Sequence, residues 1–271
     1  MDQYRVFGNP IKQSRSPFIH QNFAKQTQQA MHYQREFVEL GEFKQAVEHF
    51  IKAGGKGANV TAPFKEEAMK LCHHLTDRAQ LAGAVNTLSF IDGKIYGDTT
   101  DGDGLVNDLL TNDVELYQQK ILLLGAGGAA KGVVLPLLEQ KPTKLVIANR
   151  TVSKAQRIVE QYQEQPLSSC SFDEVADQSF DVIINATSAG LHGQAIPISA
   201  SAIQPNVTCY DMTYSKELTP FLKLAQQCSA KKTIDGLGML VGQAAVSFDI
   251  WRKVKPDTAS VLSLLRKEML G

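Results

Sequence analysis

The chain has 271 residues, 28 of them basic and 28 acidic. That length accommodates two domains of the common size of about 100 to 150 residues, and the balanced charge excludes a global field that would gather nucleic acid or an anionic membrane. Cys72, Cys170, Cys209 and Cys228 lie far apart with no Cys-x-x-Cys pair, which argues against a zinc site and against a secreted disulfide framework. The first residues hold no apolar core behind a basic start, and no later apolar run reaches the roughly 18 residues of a membrane span. A cytoplasmic protein is expected, with small-molecule partners, no nucleic acid and no membrane.

In chain order, short β-branched or apolar runs predict strands over 4–7, 33–38, 57–60 and 85–90, and amphipathic stretches predict helices over 17–26, 43–53 and 66–71. Pro17 after Ser16 reads as a helix first turn with Ser16 as its cap. A helix over 101–112 leads out of this region. Residues 121–124 are apolar throughout, break at Gly125-Ala126-Gly127-Gly128 and enter a helix to about residue 140 that contains Pro136, where a kink is expected. Strands over 145–148, 181–185 and 207–210 follow, with helices over 153–162 and 219–228, then 239–251 and 259–269. Strands alternating with helical crossovers make the class α/β, with two domains and a cleft between them as the natural arrangement.

The spacing Gly125-x-Gly127-x-x-Ala130 after the apolar strand fits the dinucleotide-binding turn with alanine in last place. There the first glycine permits the sharp bend, the second lets backbone amides approach a pyrophosphate, and the helix N-terminus faces the negative charge. Ordinary strand-to-helix turns show the same spacing, so the next strand matters. It ends in Asn149-Arg150-Thr151 with Lys154 behind, where an NAD enzyme usually carries an acid for the ribose hydroxyls. An arginine with no carboxylate beside it suits the 2′-phosphate of NADP; the alternative is a solvated basic loop.

In the first region Ser14-Arg15-Ser16, the stretch Asn59-Val60-Thr61-Ala62-Pro63-Phe64-Lys65, Val85-Asn86-Thr87 and Asp98-Thr99-Thr100-Asp101-Gly102 each fall at a strand end or in the loop after it. Open α/β sheets gather ligands at such ends. Taken singly, Ser16 and Thr61 are helix caps, Asn86 is a turn residue and Lys65 a surface charge. Taken together, they hold the hydroxyls, amide, lysine and acid needed to bind a polyol and move a proton.

These motifs, with Gly8-Asn9-Pro10-Ile11 before them and Asn185-Ala186-Thr187-Ser188, Tyr210-Asp211-Met212-Thr213-Tyr214 and the run from Asp235-Gly236 to Gln243-Ala244 after them, resemble the shikimate dehydrogenase family over nearly the whole chain. The resemblance implies a substrate-binding catalytic domain over 1–101, an NADP-binding Rossmann domain over 102–236, and C-terminal helices over 237–271 that return to the catalytic domain. It implies that Ser14, Ser16 and Tyr214 hold the carboxylate of shikimate, and that Thr61, Asn86 and Gln243 serve its ring hydroxyls with Lys65 and Asp101. For the cofactor it implies Gly125, Ala126, Gly127, Gly128 and Ala129, then Asn149, Arg150, Thr151 and Lys154, and finally Thr187, Ser188, Met212, Gly236 and Met239. Gln243 fits by its own context: no charged residue lies between Asp235 and Asp249, so it sits either on a solvated stripe or against something polar. Thr99 stands where many relatives carry asparagine, and Gln13 where many carry histidine.

Hydride reduction of a ketone leaves negative charge growing on its oxygen, so a proton donor must lie within hydrogen-bond reach. Lys65 is the candidate, with Asp101 beside it orienting the ammonium and accepting a substrate hydroxyl. The implied reaction is the reversible NADPH-dependent reduction of 3-dehydroshikimate to shikimate, on the route to chorismate and the aromatic amino acids, with no metal and in a monomer or homodimer. Two other readings are a quinate/shikimate dehydrogenase with relaxed cofactor use, opposed by the missing carboxylate near Arg150, and a non-catalytic sensor of shikimate-type ligands, opposed by the intact Lys65 and Asp101.

Overall fold

A computed structural model describes residues 1–187, 189, 196 and 198–270. The chain forms two compact units, Met1–Gly104 with Leu240–Gly271, and Leu105–Met239.

The first unit holds β1 (Asp2–Gly8), α1 (Ser16–Gln26), β2 (Met31–Phe37), α2 (Phe43–Lys52), β3 (Gly55–Val60), α3 (Lys65–Leu71), β4 (His74–Leu75), α4 (Asp77–Ala82), β5 (Thr87–Ile91) and β6 (Lys94–Asp98), followed by the start of α5 (Asp101–Thr111). Its strands form one sheet in the order β2-β1-β3-β5-β6-β4. Strands β1, β2 and β3 run parallel, whereas β5 runs antiparallel to both β3 and β6. The hairpin between β5 and β6 was not anticipated, although its turn is Asp92-Gly93 with positive φ at both residues (50° and 72°), the pair that a two-residue hairpin favours. This reversal sets the site: it brings the start of β5 beside the ends of β3 and β6, with Asn59 opposite Thr87 and Thr87 opposite Asp98. Behind the sheet, Phe43, Val47 and Phe50 fall on one face of α2 at helical spacing and are buried with Phe7 and Phe64.

Ser16 is the first residue of α1 and does not cap it; Arg15 holds the cap position without a side-chain bond, and the Ser14 hydroxyl accepts from the Ser16 amide at 3.3 Å. Thr61 does not cap α3 either, because that helix begins at Lys65 with Phe64 at the cap position. The short helix α4 was also missed, though Thr76 caps it by accepting from the Ala79 amide and Gly83 ends it at φ 64°.

The second unit carries β7 (Lys120–Leu124), α6 (Gly128–Glu139), β8 (Lys144–Ala148), α7 (Val152–Val159), β9 (Leu167–Cys170), β10 (Val182–Asn185), β11 (Thr208–Asp211), α8 (Pro220–Gln227) and β12 (Lys232–Asp235). The helix α9 (Leu237–Arg252) starts in this unit and ends in the first, which also holds α10 (Thr258–Leu270). The sheet is parallel throughout, in the order β12-β11-β10-β7-β8-β9. This is a doubly wound α/β sheet whose order reverses between β7 and β10, where ligands of such sheets bind. β9 and β12 are its edges, with sequences LSSC and KTID, too polar to signal strands by themselves. The helix α6 runs through Pro136; the lost bond is the one to the carbonyl of Gly132.

Gly236 marks a close backbone approach in this unit. Its amide donates to the carbonyl of Thr213 at 3.0 Å, and a Cβ there would run into the backbone carbonyl of Met212. Gly236→Ala is expected to lower stability by about 1 to 3 kcal/mol, the scale of an overpacked contact, in denaturant unfolding. A midpoint equal to the parent's would show that the two segments separate freely.

Candidate active site

In the first unit the polar motifs converge on the β5 reversal. Lys65 opens α3 and Asp101 opens α5; the Lys65 Nζ lies 2.5 Å from Asp101 Oδ2, with side chains 25% and 12% exposed. The Lys65 backbone is held by the Val85 amide, which donates to its carbonyl at 3.0 Å. The other carboxylate oxygen of Asp101 accepts from Asn86 Nδ2 at 2.9 Å, and the same amide group donates to Thr100 Oγ1 at 3.0 Å. Asn86 Oδ1 in turn accepts from the Thr100 amide at 3.0 Å and from Thr87 Oγ1 at 2.8 Å. Asn86 is therefore no turn residue. It is 2% exposed, and its amide anchors the acid.

Gln243, on α9, enters the same network: its Oε1 lies 3.4 Å from Asn86 Nδ2, and its Nε2 donates to the Leu240 carbonyl at 2.8 Å. Thr100 Oγ1 donates to the Gln243 carbonyl at 3.0 Å. A second layer lies behind these residues and was not read from the sequence. Asn59 accepts from the Tyr33 hydroxyl at 2.7 Å and donates to the Asn86 carbonyl, to Thr87 Oγ1 and to Ser247 Oγ at 3.1, 3.2 and 3.0 Å. His20 Nε2 completes it at 3.2 Å from Asn59 Oδ1, with the ring stacked on Tyr33; burial pushes its pKa down to about 3, so it is a neutral residue. The signal available in sequence was Asn59 itself, a fully polar side chain at the end of an apolar strand.

Ser14 and Ser16 come together, with their hydroxyls 3.2 Å apart. Their loop is held on one side by Arg35 Nε, which donates to the Ser14 carbonyl at 2.8 Å, and on the other by Arg15, paired with Glu268 at 2.9 Å. Thr61 follows β3; its amide donates to the Phe7 carbonyl at 2.9 Å, and its side chain is half-buried.

In the second unit Gly125 has φ 108°, a conformation that favours glycine, and a Cβ there would meet the Ala186 backbone at 3.3 Å. Gly127 and Gly128 differ: both are exposed at the N-terminus of α6, and a Cβ on either meets nothing within 4 Å. That open space above a helix N-terminus fits a pyrophosphate. Ala126 and Ala130 are buried and Ala129 is exposed. At the end of β8, Asn149 Nδ2 donates to the Thr151 carbonyl at 2.9 Å, shaping the turn that exposes Arg150. Neither Arg150 nor Lys154 has a side-chain partner among the described residues.

The segments after β10 and β11 are tied by one buried acid. Asp211 Oδ1 accepts from Asn185 Nδ2 at 3.0 Å and from the Thr213 amide and hydroxyl at 3.0 and 2.8 Å, and Oδ2 accepts from Thr219 Oγ1 at 2.6 Å. Burial raises the Asp211 pKa, with these hydrogen bonds opposing the rise. Asn185 also accepts from the Thr187 amide and hydroxyl at 3.0 and 2.7 Å. Thr187 and Met212 are thus fixed relative to one another. Tyr214 lies half-buried further along the same segment, and Met239 is buried at the start of α9. Ser188 lies outside the described residues.

A lysine paired with an acid amid hydroxyls and amides, and a separate glycine turn with a basic strand end, are what a nicotinamide-linked alcohol dehydrogenase requires. Family profiles match at residues 6–88 (shikimate dehydrogenase substrate binding domain), 108–195 (shikimate / quinate 5-dehydrogenase) and 236–266 (shikimate 5'-dehydrogenase C-terminal domain). The shikimate dehydrogenase (NADP(+)) of Colwellia psychrerythraea is 58% identical over 99% of this chain and 98% of its own. The crystal structure of shikimate dehydrogenase from Aquifex aeolicus superposes with a TM-score of 0.90 at 34% identity, covering 98% of each chain. That of Thermus thermophilus, solved in complex with NADP(H) and shikimate, gives 0.90 at 28% identity over 98% of this chain and 99% of its own. With motifs, fold and full-length similarity in agreement, the chain belongs to the shikimate dehydrogenase family.

Proposed function

We propose that the protein catalyses the reversible NADPH-dependent reduction of 3-dehydroshikimate to shikimate, on the route to chorismate and the aromatic amino acids. The observation that carries this reading is the Lys65–Asp101 pair at 2.5 Å, anchored by Asn86 within a ring of hydroxyls and amides. Lys65 donates the proton to the ketone oxygen as charge grows there, and accepts it in the reverse direction. Asp101 holds the lysine's orientation and accepts from a ring hydroxyl, while Thr61 and Gln243 bind the remaining hydroxyls. Asn86 acts largely through Asp101, since its amide group already donates to the acid and to Thr100. Ser14 and Ser16 hold the substrate carboxylate, and Tyr214 is assigned to the same group on the family resemblance.

When bound, NADPH supplies the hydride. Gly125, Ala126, Gly127, Gly128 and Ala129 would hold its pyrophosphate, and Asn149, Arg150, Thr151 and Lys154 its adenosine phosphate. Thr187, Ser188, Met212, Gly236 and Met239 are the further residues assigned to the cofactor. The substrate domain comprises 1–101 with the returning helices 237–271, and the cofactor domain 102–236. We place the enzyme in the cytoplasm as a monomer or homodimer. Its four unpaired cysteines suit a reducing compartment, and among the described residues no helix is long and apolar enough to cross a membrane.

Initial rates of reduced-nicotinamide absorbance, with shikimate or quinate crossed against NADP or NAD, test the reading. Turnover of shikimate with NADP is expected to exceed the other three combinations. Equal use of quinate and NAD would make the enzyme a quinate/shikimate dehydrogenase, and no turnover at all would make it a binding protein.

The carboxylate anchors carry a separate expectation. Ser14→Ala and Ser16→Ala should each raise the KM for shikimate more than they lower kcat, because a contact held equally in ground and transition states contributes only to binding. One hydrogen bond to a charged group is worth about 1.5 to 3 kcal/mol. A fall in kcat at constant KM would remove the serines from the carboxylate.

A further inference from the structure

Asp98, Asp101 and Asp103 put three carboxylates on one short stretch, from the last residue of β6 to the first turn of α5. Lys65 accounts for one of them. The other two share Arg78, a residue of α4 far from them in sequence. Its Nε and Nη2 donate to Asp98 Oδ1 and Oδ2 at 2.7 and 2.8 Å, and its Nη1 bonds Asp103 Oδ2. The clasp is half-buried, with side-chain exposures of 27% for Arg78, 14% for Asp98 and 31% for Asp103. Asp98 Oδ1 also accepts from Thr76 Oγ1 and from the Thr99 amide, both at 2.7 Å. The fork thus grips the chain on both sides of Asp101.

We propose that Arg78 is a positioning residue for the reaction: by clasping Asp98 and Asp103 it fixes the turn that presents Asp101 to Lys65, and its single positive charge offsets one of the two negative charges that flank that pair. The inference rests on the Lys65–Asp101 reading of the site. A planar guanidinium suits this task because it binds one carboxylate through two parallel bonds and still reaches a second, which an ammonium cannot do in fixed geometry. Among the described residues, the side chains bonded to Asp101 itself are Lys65 and the neutral Asn86. The Arg78 pKa is itself held above its ordinary value, first by the hydrogen bond to Asp98.

The test is shikimate oxidation with NADP by wild type, Arg78→Gln and Arg78→Lys across pH. Arg78→Gln is expected to lower kcat by about 10- to 100-fold, the scale of a catalytic group displaced by a fraction of an ångström to one ångström, with the shikimate KM within a few-fold because Ser14 and Ser16 are untouched. The rising limb of its pH–kcat profile should move to higher pH, since the flanking carboxylates then carry one more uncompensated negative charge, which opposes proton removal nearby. Arg78→Lys should keep that limb near the wild-type position while kcat stays reduced. A limb that does not move in Arg78→Gln, or a kcat that stays at the wild-type value, overturns the proposal and leaves Arg78 a support of the fold. If Arg78→Gln does not fold, Arg78→Lys decides: wild-type kcat there overturns the role of the fork, and a reduced kcat supports it. Wild type inactive in the same assay would sink the proposed function instead.

Discussion

Lys65→Ala is expected to lower kcat for shikimate oxidation by about 10²- to 10⁴-fold, the usual worth of a positioned general acid or base, while the KM for shikimate changes by no more than a few-fold. Among the described residues the lysine is the one cation bonded to Asp101, and truncation leaves that carboxylate with Asn86 as its side-chain donor there. Among the described residues the surrounding network offers only amides and hydroxyls, at Asn86, Thr87, Thr100 and Ser247, already engaged with one another. The carboxylate anchors at Ser14 and Ser16 lie on a different loop, so binding should survive. Initial rates at saturating cofactor, with thermal unfolding as a control for folding, separate the two effects. Turnover near that of wild type would exclude Lys65 from proton transfer.

Arg150→Ala is expected to weaken NADP by about 1.5 to 3 kcal/mol, the scale of a charged hydrogen bond, and to leave NAD almost unchanged. The preference for NADP should then fall by roughly 10- to 100-fold. Arg150 is exposed at the end of β8 and has no side-chain partner among the described residues, so its fork is available to a phosphate and its removal breaks nothing in the protein. Lys154, one helical turn on, adds charge but should contribute less as a flexible, well-hydrated ammonium. The measurement is kcat/KM for both cofactors at saturating shikimate, repeated at high salt, where an exposed phosphate contact is screened. Equal losses for NADP and NAD would make Arg150 a support of the fold. No loss for either would leave it a solvated charge.

The signals legible in sequence are local ones. The turn at Gly125 and Gly127 could be read because an apolar strand, a positive-φ glycine and a helix start lie within a few residues of one another. Arg150 could be read because it closes the next strand. Gln243 stood out as a polar residue in an apolar helix, and the structure gives it Asn86 and Leu240 as partners. The edge strands β9 and β12 escaped notice because each is only four residues long, largely polar and partly exposed.

What only the tertiary structure decided is which distant residues meet. The sequence by itself determined the α/β class, the dinucleotide turn, and the inventory of lysine, acid, amides and hydroxyls. It did not reveal the β5–β6 reversal, and that reversal sets Asn86 between Val60 and Asp98, whose amide and carbonyl it pairs with at 2.8 and 3.1 Å. From there follow the saturation of the Asn86 amide, the Asn59 layer behind it and the Arg78 clasp, all made by side chains on separate elements. Strand and helix patterns reflect each residue's burial, which short-range periodicity encodes. Partner choice among buried polar groups depends on where every donor and acceptor can be satisfied at once, and that is a property of the assembled sheet.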